Sequence, residues 1–238
     1  VYKTNNCNNN HLISKYSRPT ITKERIIAKS QQIVRVDTEE IEDLSDVNIS
    51  LFLNAFDNLI HSNSGLDAII ISDYGKGMIC GPFMEALKFN PLFFNTDVYI
   101  DPFPKHKEMY TLAHCITPNI KEFEEMGGDI NYFLNTLKIN KIVKTKGEQG
   151  MTVFENEGTY HIKTEAQTVY DVSGAGDTVI AAIAATKSMG FTFQDSVILA
   201  NRAAGHVVSE MGTTAVDPVF MKEIIREMGY AGNYAKSS

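Results

Sequence analysis

Asp171-Val172-Ser173-Gly174-Ala175-Gly176-Asp177-Thr178 is the stretch whose reading decides the fold. Thr168 and Val169 lead into it with β-branched side chains, and Val179-Ile180-Ala181-Ala182-Ile183-Ala184-Ala185 follow as a small, apolar helical run. That order predicts a strand, a tight turn and a helix start. Gly174, Ala175 and Gly176 keep the turn free of bulky side chains. Backbone N–H groups can therefore face an anion, and the helix dipole adds partial positive charge there. Asp177 stands beside this anion site as a candidate general base. A base next to an oxyanion site is what phosphoryl transfer to an alcohol requires. The same residues can also make an ordinary turn with Asp177 or Thr178 as a helix cap, so the surrounding chain has to decide between the two.

Upstream, four apolar runs end in polar residues: Asp67-Ala68-Ile69-Ile70-Ile71-Ser72 before Asp73, Asp97-Val98-Tyr99-Ile100 before Asp101, His114-Cys115-Ile116-Thr117 before Pro118-Asn119, and Asn140-Lys141-Ile142-Val143 before Lys144-Thr145-Lys146-Gly147. Helix-like segments separate them. Buried runs alternating with helices predict a parallel α/β sheet, whose ligands bind at the C-terminal strand edge. A hairpin is expected across Met151 to Ile162 with its turn at Asn156-Glu157-Gly158. Helices are expected at about Ser50 to Ile60, Thr192 to Met211 and Pro218 to Met228. Ala200-Asn201-Arg202-Ala203-Ala204-Gly205 gives one of them a slim side that admits a flat ligand or another helix. Between Thr20 and Asp37, Ile21, Ile26, Ile27, Ile33, Val34 and Val36 interleave with Lys23, Arg25, Lys29, Gln31, Gln32 and Arg35, as in a small sheet with one wet face. The expected division is a loop-like segment 1–17, a β lid segment 18–40 and an α/β core 41–238.

The 238 residues suffice for one large domain or two small ones, and 43% hydrophobic content supports a sizeable core. A net charge of -7, from 22 basic and 29 acidic residues, disfavours a nucleic-acid footprint. Three scattered cysteines, Cys7, Cys80 and Cys115, form no Cys-x-x-Cys pair and read as free thiols of a reducing cytosol. No apolar run reaches membrane-spanning length, no secretory leader pattern opens the chain, and no His-Glu-x-x-His or Walker-type phosphate loop occurs. The expected location is cytoplasmic, with neither membrane nor nucleic acid as partner.

The order of motifs resembles the ribokinase-like (PfkB) carbohydrate kinases over roughly residues 66 to 225. Asn119-Ile120-Lys121-Glu122 looks like the family's Asn-x-x-Glu element. Lys144-Thr145-Lys146-Gly147-Glu148-Gln149-Gly150 looks like its strand and Gly-x-x-Gly turn near the nucleotide, and residues 171–178 look like its C-terminal signature. Residues 18–25 (Arg-Pro-Thr-Ile-Thr-Lys-Glu-Arg), Gln31-Gln32, Arg35-Val36-Asp37, Ser72-Asp73-Tyr74-Gly75-Lys76-Gly77 and Thr117-Pro118-Asn119 resemble the branch that phosphorylates D-glycero-β-D-manno-heptose 7-phosphate at the anomeric oxygen, in ADP-heptose and lipopolysaccharide core synthesis. The resemblance implies a ribokinase-like α/β fold: a mostly parallel sheet with helices on both faces and a small β lid that often joins two copies into a homodimer. The family's opening Gly-Asp strand and Gly-Gly-x-x-x-Asn element are absent, so the N-terminal part of the fold is expected to be missing. No His-x-Gly-His adenylyltransferase motif follows residue 225.

By resemblance, Asp177 would take the proton of the sugar hydroxyl, and the amides of Gly174, Ala175 and Gly176 would hold the developing charge. Asn119 and Glu122 would organise Mg²⁺ through water, although a helix cap at Asn119 with Glu122 in its first turn is the plain structural reading. Lys144, Lys146 and Gly147 would lie at the ATP phosphates and ribose, with Asn201 and Gly205 on the adenine side. Asp171, Ser173 and Gly212 would border a monovalent cation such as K⁺. Asp73 and Lys76 are candidates for the sugar phosphate, with Arg25 or Arg35 as a bidentate clamp; solvated charges on an edge sheet are the alternative. Two functional alternatives stay open: another ribokinase-like sugar or nucleoside kinase, and a non-catalytic nucleotide-binding fragment.

Overall fold

The computed structural model describes residues 19–28, 31–62, 66–90, 93, 95–164, 170, 172–210 and 212–230. Residues 1–17, Thr168, Val169, Asp171 and Met211 lie outside the described residues. The chain divides into two compact units, residues 1–66 with 75–90 and residues 67–74 with 91–238.

In the first unit, β1 (Thr22–Ala28) and β2 (Gln31–Thr38) form an antiparallel ribbon. Ile26 faces Val34 and Glu24 faces Val36, while Arg25 stands opposite Arg35. Successive side chains alternate between faces, so one face is mainly apolar and the other carries two arginines. The sequence predicts one wet face. Instead, Ile26, Val34 and Val36 of the apolar face are themselves exposed, at 54%, 43% and 47%. Helix α1 (Asp46–Ser62) begins one turn before the expected Ser50, because the Ser45 hydroxyl accepts hydrogen bonds from Asn48 Nδ2 at 3.0 Å and its N–H at 3.5 Å. Helix α2 (Gly81–Lys88) has a proline in its first turn, where the missing N–H is not needed. Phe83 of α2 meets Phe52 of α1 edge-to-face at 4.9 Å.

The second unit holds a six-stranded sheet in sequential order: β3 (Ala68–Ser72), β4 (Asp97–Asp101), β5 (Cys115–Ile116), β6 (Lys141–Thr145), β7 (Met151–Glu155) and β8 (Gly158–Ile162). The first three pairings are parallel and the last two antiparallel. All four apolar runs become strands, and the hairpin forms at its expected turn.

Alternation along the strands sets two apolar faces. Tyr99, Cys115, Val143, Met151 and Val153 pack with Val179, Ile180, Ile183 and Ala184 of α4 (Ala175–Ser188) and with Val197 and Ala200 of α5 (Phe193–Val208). On the other face, Phe154 stacks at 6.1 Å on Phe123 of α3 (Ile120–Glu125), which also meets Phe133. A smaller cluster joins Leu199 of α5 and Phe191 to Ile224 of α6 (Pro218–Glu227). Cys80 and Cys115 are free and buried, and no helix among the described residues is long and apolar enough to cross a membrane.

Ile183 is fully buried at the centre of the α4 face. Ile183→Ala should cost about 3 kcal/mol, from lost burial and a residual cavity. Urea unfolding at constant slope checks this, and a loss below about 1 kcal/mol would contradict the packing described.

Candidate active site

The glycine turn does what its sequence requires. Gly174 adopts φ 82°, ψ 1°, a left-handed conformation open to glycine at little cost. Its carbonyl accepts from both the Thr178 N–H at 2.9 Å and the Thr178 hydroxyl at 2.8 Å, which locks the first turn of α4. No side chain among the described residues caps that helix, so its first-turn N–H groups can serve an anion. The Ala175 N–H is partly engaged, by a long 3.3 Å bond to the Val172 carbonyl. A Cβ on Gly174 would come 3.2 Å from Thr213 Cγ2, so the segment around Gly212 lies against the turn. Asp171, the third residue expected at a monovalent cation, lies outside the described residues.

Beside the turn opens a cavity of about 360 Å³. Thr145, Gly147, Glu148, Gly150 and Met151 line one side, Ala175, Gly176 and Val179 of α4 a second, and Asn201, Ala204, Gly205 and Val208 of α5 a third. Gly147, Ala175, Gly176, Asn201 and Gly205 therefore come together around this cavity. Asn201 is buried, and its Nδ2 donates to the Lys163 carbonyl at 2.8 Å. Gly150 holds the adjoining turn at φ 84°, where a Cβ would lie 2.0 Å from the Ile162 carbonyl oxygen. Sequence reading missed the apolar lining from Met151, Val179 and Val208, whose only signal was burial periodicity.

Lys144 and Lys146 do not line the cavity. Lys144 precedes Thr145 on β6 and so points to the opposite face, where its ammonium lies 4.6 Å from the Phe123 ring centroid. Burial, followed by the charge of Lys146, holds the Lys144 ammonium below its ordinary pKa. The Lys146 N–H donates to the Gly150 carbonyl at 2.8 Å, closing the turn that Gly147 opens.

Four carboxylates converge at the C-terminal strand edge: Asp73 after β3, Asp101 ending β4, Glu122 in α3 and Asp177 in α4. Burial, then the charges of Glu122, Asp177 and Asp73, push the Asp101 carboxyl up to about 7, against a hydrogen bond from Thr117 that lowers it. Asn119 and Glu122 form a capping box: Glu122 N–H donates to Asn119 Oδ1 at 2.9 Å, and Asn119 N–H to Glu122 Oε2 at 2.8 Å. The plain structural reading of this pair is thus realised, and a functional role would add to it. A bridge between Asn119 and Thr145 sets the pair beside the cavity edge.

The Asp73 carboxylate is buried and accepts from the Tyr110 hydroxyl at 2.7 Å, with His106 Nδ1 also at 2.7 Å. The Tyr74 hydroxyl donates to Asp177, at 3.1 Å to Oδ1 and 3.4 Å to Oδ2. Neither contact was legible in the sequence.

The remaining sugar-site candidates, Arg25, Arg35 and Lys76, belong to the first unit. Arg25 and Arg35 share the ribbon's polar face in direct register. Arg35 Nε pairs with Asp37 at 2.9 Å, and Lys76 Nζ with Glu39 at 2.6 Å.

A sheet with its glycine-turn helix, strand-edge acids and neighbouring cavity defines the ribokinase-like α/β class. Escherichia coli phosphofructokinase-2 in complex with potassium superposes with a TM-score of 0.68 at 14% identity, covering 88% of this chain and 70% of that one. Arabidopsis thaliana ribokinase complexed with ribose and ATP gives 0.65 at 16% identity over the same shares, 88% and 70%. At such identities the likeness speaks for the fold alone.

The chain belongs to the pfkB family of carbohydrate kinases, which it matches over residues 2–219. Bifunctional protein HldE of Salmonella arizonae is 35% identical over 238 residues, spanning 92% of this chain and 47% of that protein. Its namesake in Haemophilus ducreyi is 35% identical over 234 residues, spanning 94% and 48%. The chain thus spans about half the length of the curated relatives it matches.

The Asp101 carboxyl gives a pH test. Its value in the fold, about 7, lies above the ordinary 3.8. Between those values the folded chain holds a proton that the unfolded chain releases, so stability falls as pH rises from about 4 to about 7. Asp101→Asn removes the buried charge. It should stabilise the protein by about 1–3 kcal/mol at pH 8 and by little at pH 4, read from denaturant midpoints. A difference that does not vary with pH would contradict the assignment.

Proposed function

We propose that the protein is an ATP-dependent kinase that transfers the γ-phosphoryl group to the anomeric oxygen of D-glycero-β-D-manno-heptose 7-phosphate. The product is the 1,7-bisphosphate, an intermediate of ADP-heptose formation for the lipopolysaccharide core. One observation carries the phosphotransferase reading: Asp177 follows directly on Ala175 and Gly176, which line the cavity at an uncapped helix N-terminus. The heptose assignment is supported by the HldE relatives.

In this reading adenosine occupies the cavity between Gly147 and Gly205, with Asn201 Oδ1 as a hydrogen-bond acceptor toward the base. The triphosphate reaches the glycine turn, where the amides of Gly174 and Gly176 meet the γ-phosphoryl oxygens. The acceptor hydroxyl loses its proton to the Asp177 carboxylate as its oxygen bonds to the γ-phosphorus. The bond from that phosphorus to the β,γ-bridging oxygen breaks, and ADP leaves. Alignment and charge stabilisation supply most of the acceleration. Lys144, turned to the other face, takes no part at the phosphates.

The donor set suits Mg²⁺. Among the described residues no three His, Cys, Asp or Glu side chains sit close enough to hold a metal directly. Carboxylates that interact without forming a direct ligand set match an ion that keeps most of its hydration shell. Glu122 would hold it through water, and the ion would neutralise phosphate charge. Thr214 Oγ1, buried without a hydrogen-bond partner among the described residues, adds an oxygen ligand suited to a monovalent cation near Gly212. A cytoplasmic location, where ATP is at hand, belongs to this reading.

Asp177→Asn should lower kcat by about 10²- to 10⁴-fold while the Kd for ATP changes less than threefold. Unchanged turnover would remove Asp177 from the base role, and turnover of other sugars in preference to the heptose phosphate would reassign the acceptor. The exposed face of Ile26, Val34 and Val36 is assigned to a second copy of the chain. Sedimentation should then show a dimer that Val34→Glu converts to monomer, whereas a wild-type monomer would refute that interface.

A further inference from the structure

The geometry points to Tyr74 as a positioning residue for Asp177, a role that rests on the reading of Asp177 as the base. The two residues lie 103 positions apart, yet the Tyr74 hydroxyl donates to both carboxylate oxygens, at 3.1 and 3.4 Å. Tyr74 is 58% exposed, so packing alone does not fix its ring; the hydrogen bond supplies the direction.

What delivers Tyr74 to this place is the residue before it. The Asp73 N–H donates to the Asp101 carbonyl at 3.0 Å, extending the parallel ladder one residue past β3. The Asp73 carboxylate is clamped by Tyr110 and His106 from the segment after β4. Tyr110 is itself tied down: its oxygen accepts from the Phe103 N–H at 2.8 Å and its hydroxyl lies 3.1 Å from the Phe103 carbonyl. Backbone and side chain of Asp73 therefore hold the chain where Tyr74 departs. Asp73, expected at the sugar, acts here as an anchor.

The consequence is mechanistic. A phenol donating to a carboxylate fixes its orientation and limits its rotation. With the nearer oxygen, Oδ1 at 3.1 Å, kept on Tyr74, Oδ2 at 3.4 Å can turn to the acceptor's proton. The groups facing the Tyr74 phenol are Ser72 at the end of β3, Asp177 from α4 and Asp101 from β4. The Ser72 hydrogen bond lowers the phenol's pKa. Burial, the charge and hydrogen bond of Asp177, and the charge of Asp101 outweigh it, so the phenol stays protonated above the ordinary tyrosine range.

Tyr74→Phe keeps the ring and removes only the donor. With ATP and D-glycero-β-D-manno-heptose 7-phosphate it should lower kcat about tenfold and leave both KM values within about twofold. If kcat stays within twofold of wild type while Asp177→Asn is inactive, the positioning role falls and the base reading stands. If Asp177→Asn keeps full activity, both fall.

A second measurement needs no acceptor. In the protein labelled at tyrosine Cζ, the Tyr74 carbon resonance should titrate above free tyrosine, and Asp177→Asn should bring that titration down. A titration that Asp177→Asn leaves unmoved would overturn the contact itself.

Discussion

Everything at the candidate site depends on one backbone constraint, the left-handed conformation of Gly174. A side chain there would meet both the penalty of positive φ and the Thr213 methyl 3.2 Å away. With that conformation in place, Thr178 locks back onto the Gly174 carbonyl through two bonds, and α4 starts at the C-terminal edge of the sheet. The rest of α4 then buries Val179, Ile180 and Ile183 against Tyr99 and Val143. The helix that offers its N-terminus to an anion is also the helix that covers one face of the core. Positioning and stability share the same element.

The second constraint is electrostatic. Parallel strands deliver Asp73 and Asp101 to the same edge, and the helices after them deliver Glu122 and Asp177. Burial first, and then their mutual repulsion, raise the Asp101 carboxyl and make the edge a place where cations and proton donors are favoured. The protein already satisfies part of this demand: Tyr110 and His106 hold Asp73, Tyr74 holds Asp177, and the Asn119 N–H holds Glu122. A hydrated divalent cation with the charged end of a nucleotide would complete the balance.

Much of this was legible in the sequence because it is local. The four apolar runs ending in polar residues became β3 to β6, Asn156-Glu157 made the expected turn, and Gly174 capped the expected helix. The Ser45 cap of α1 was equally local and went unread. What escaped was set by side-chain direction and by long-range meeting. Lys144 sits one residue before a cavity-lining Thr145, and period-two alternation sends it to the aromatic face. Asp73 was expected at the sugar, yet tyrosine and histidine from after the next strand hold its carboxylate. The exposed apolar face of the ribbon shows that alternation identifies two faces without stating what covers either.

The most direct test of the account is a crystal structure of the protein with a non-hydrolysable ATP analogue and D-glycero-β-D-manno-heptose 7-phosphate. The account predicts adenine between Gly147 and Gly205, the γ-phosphoryl group at the amides of Gly174 and Gly176, and an Asp177 oxygen within about 3 Å of the acceptor hydroxyl. A nucleotide bound away from that cavity, or an Asp177 carboxylate turned away from the acceptor, would contradict it.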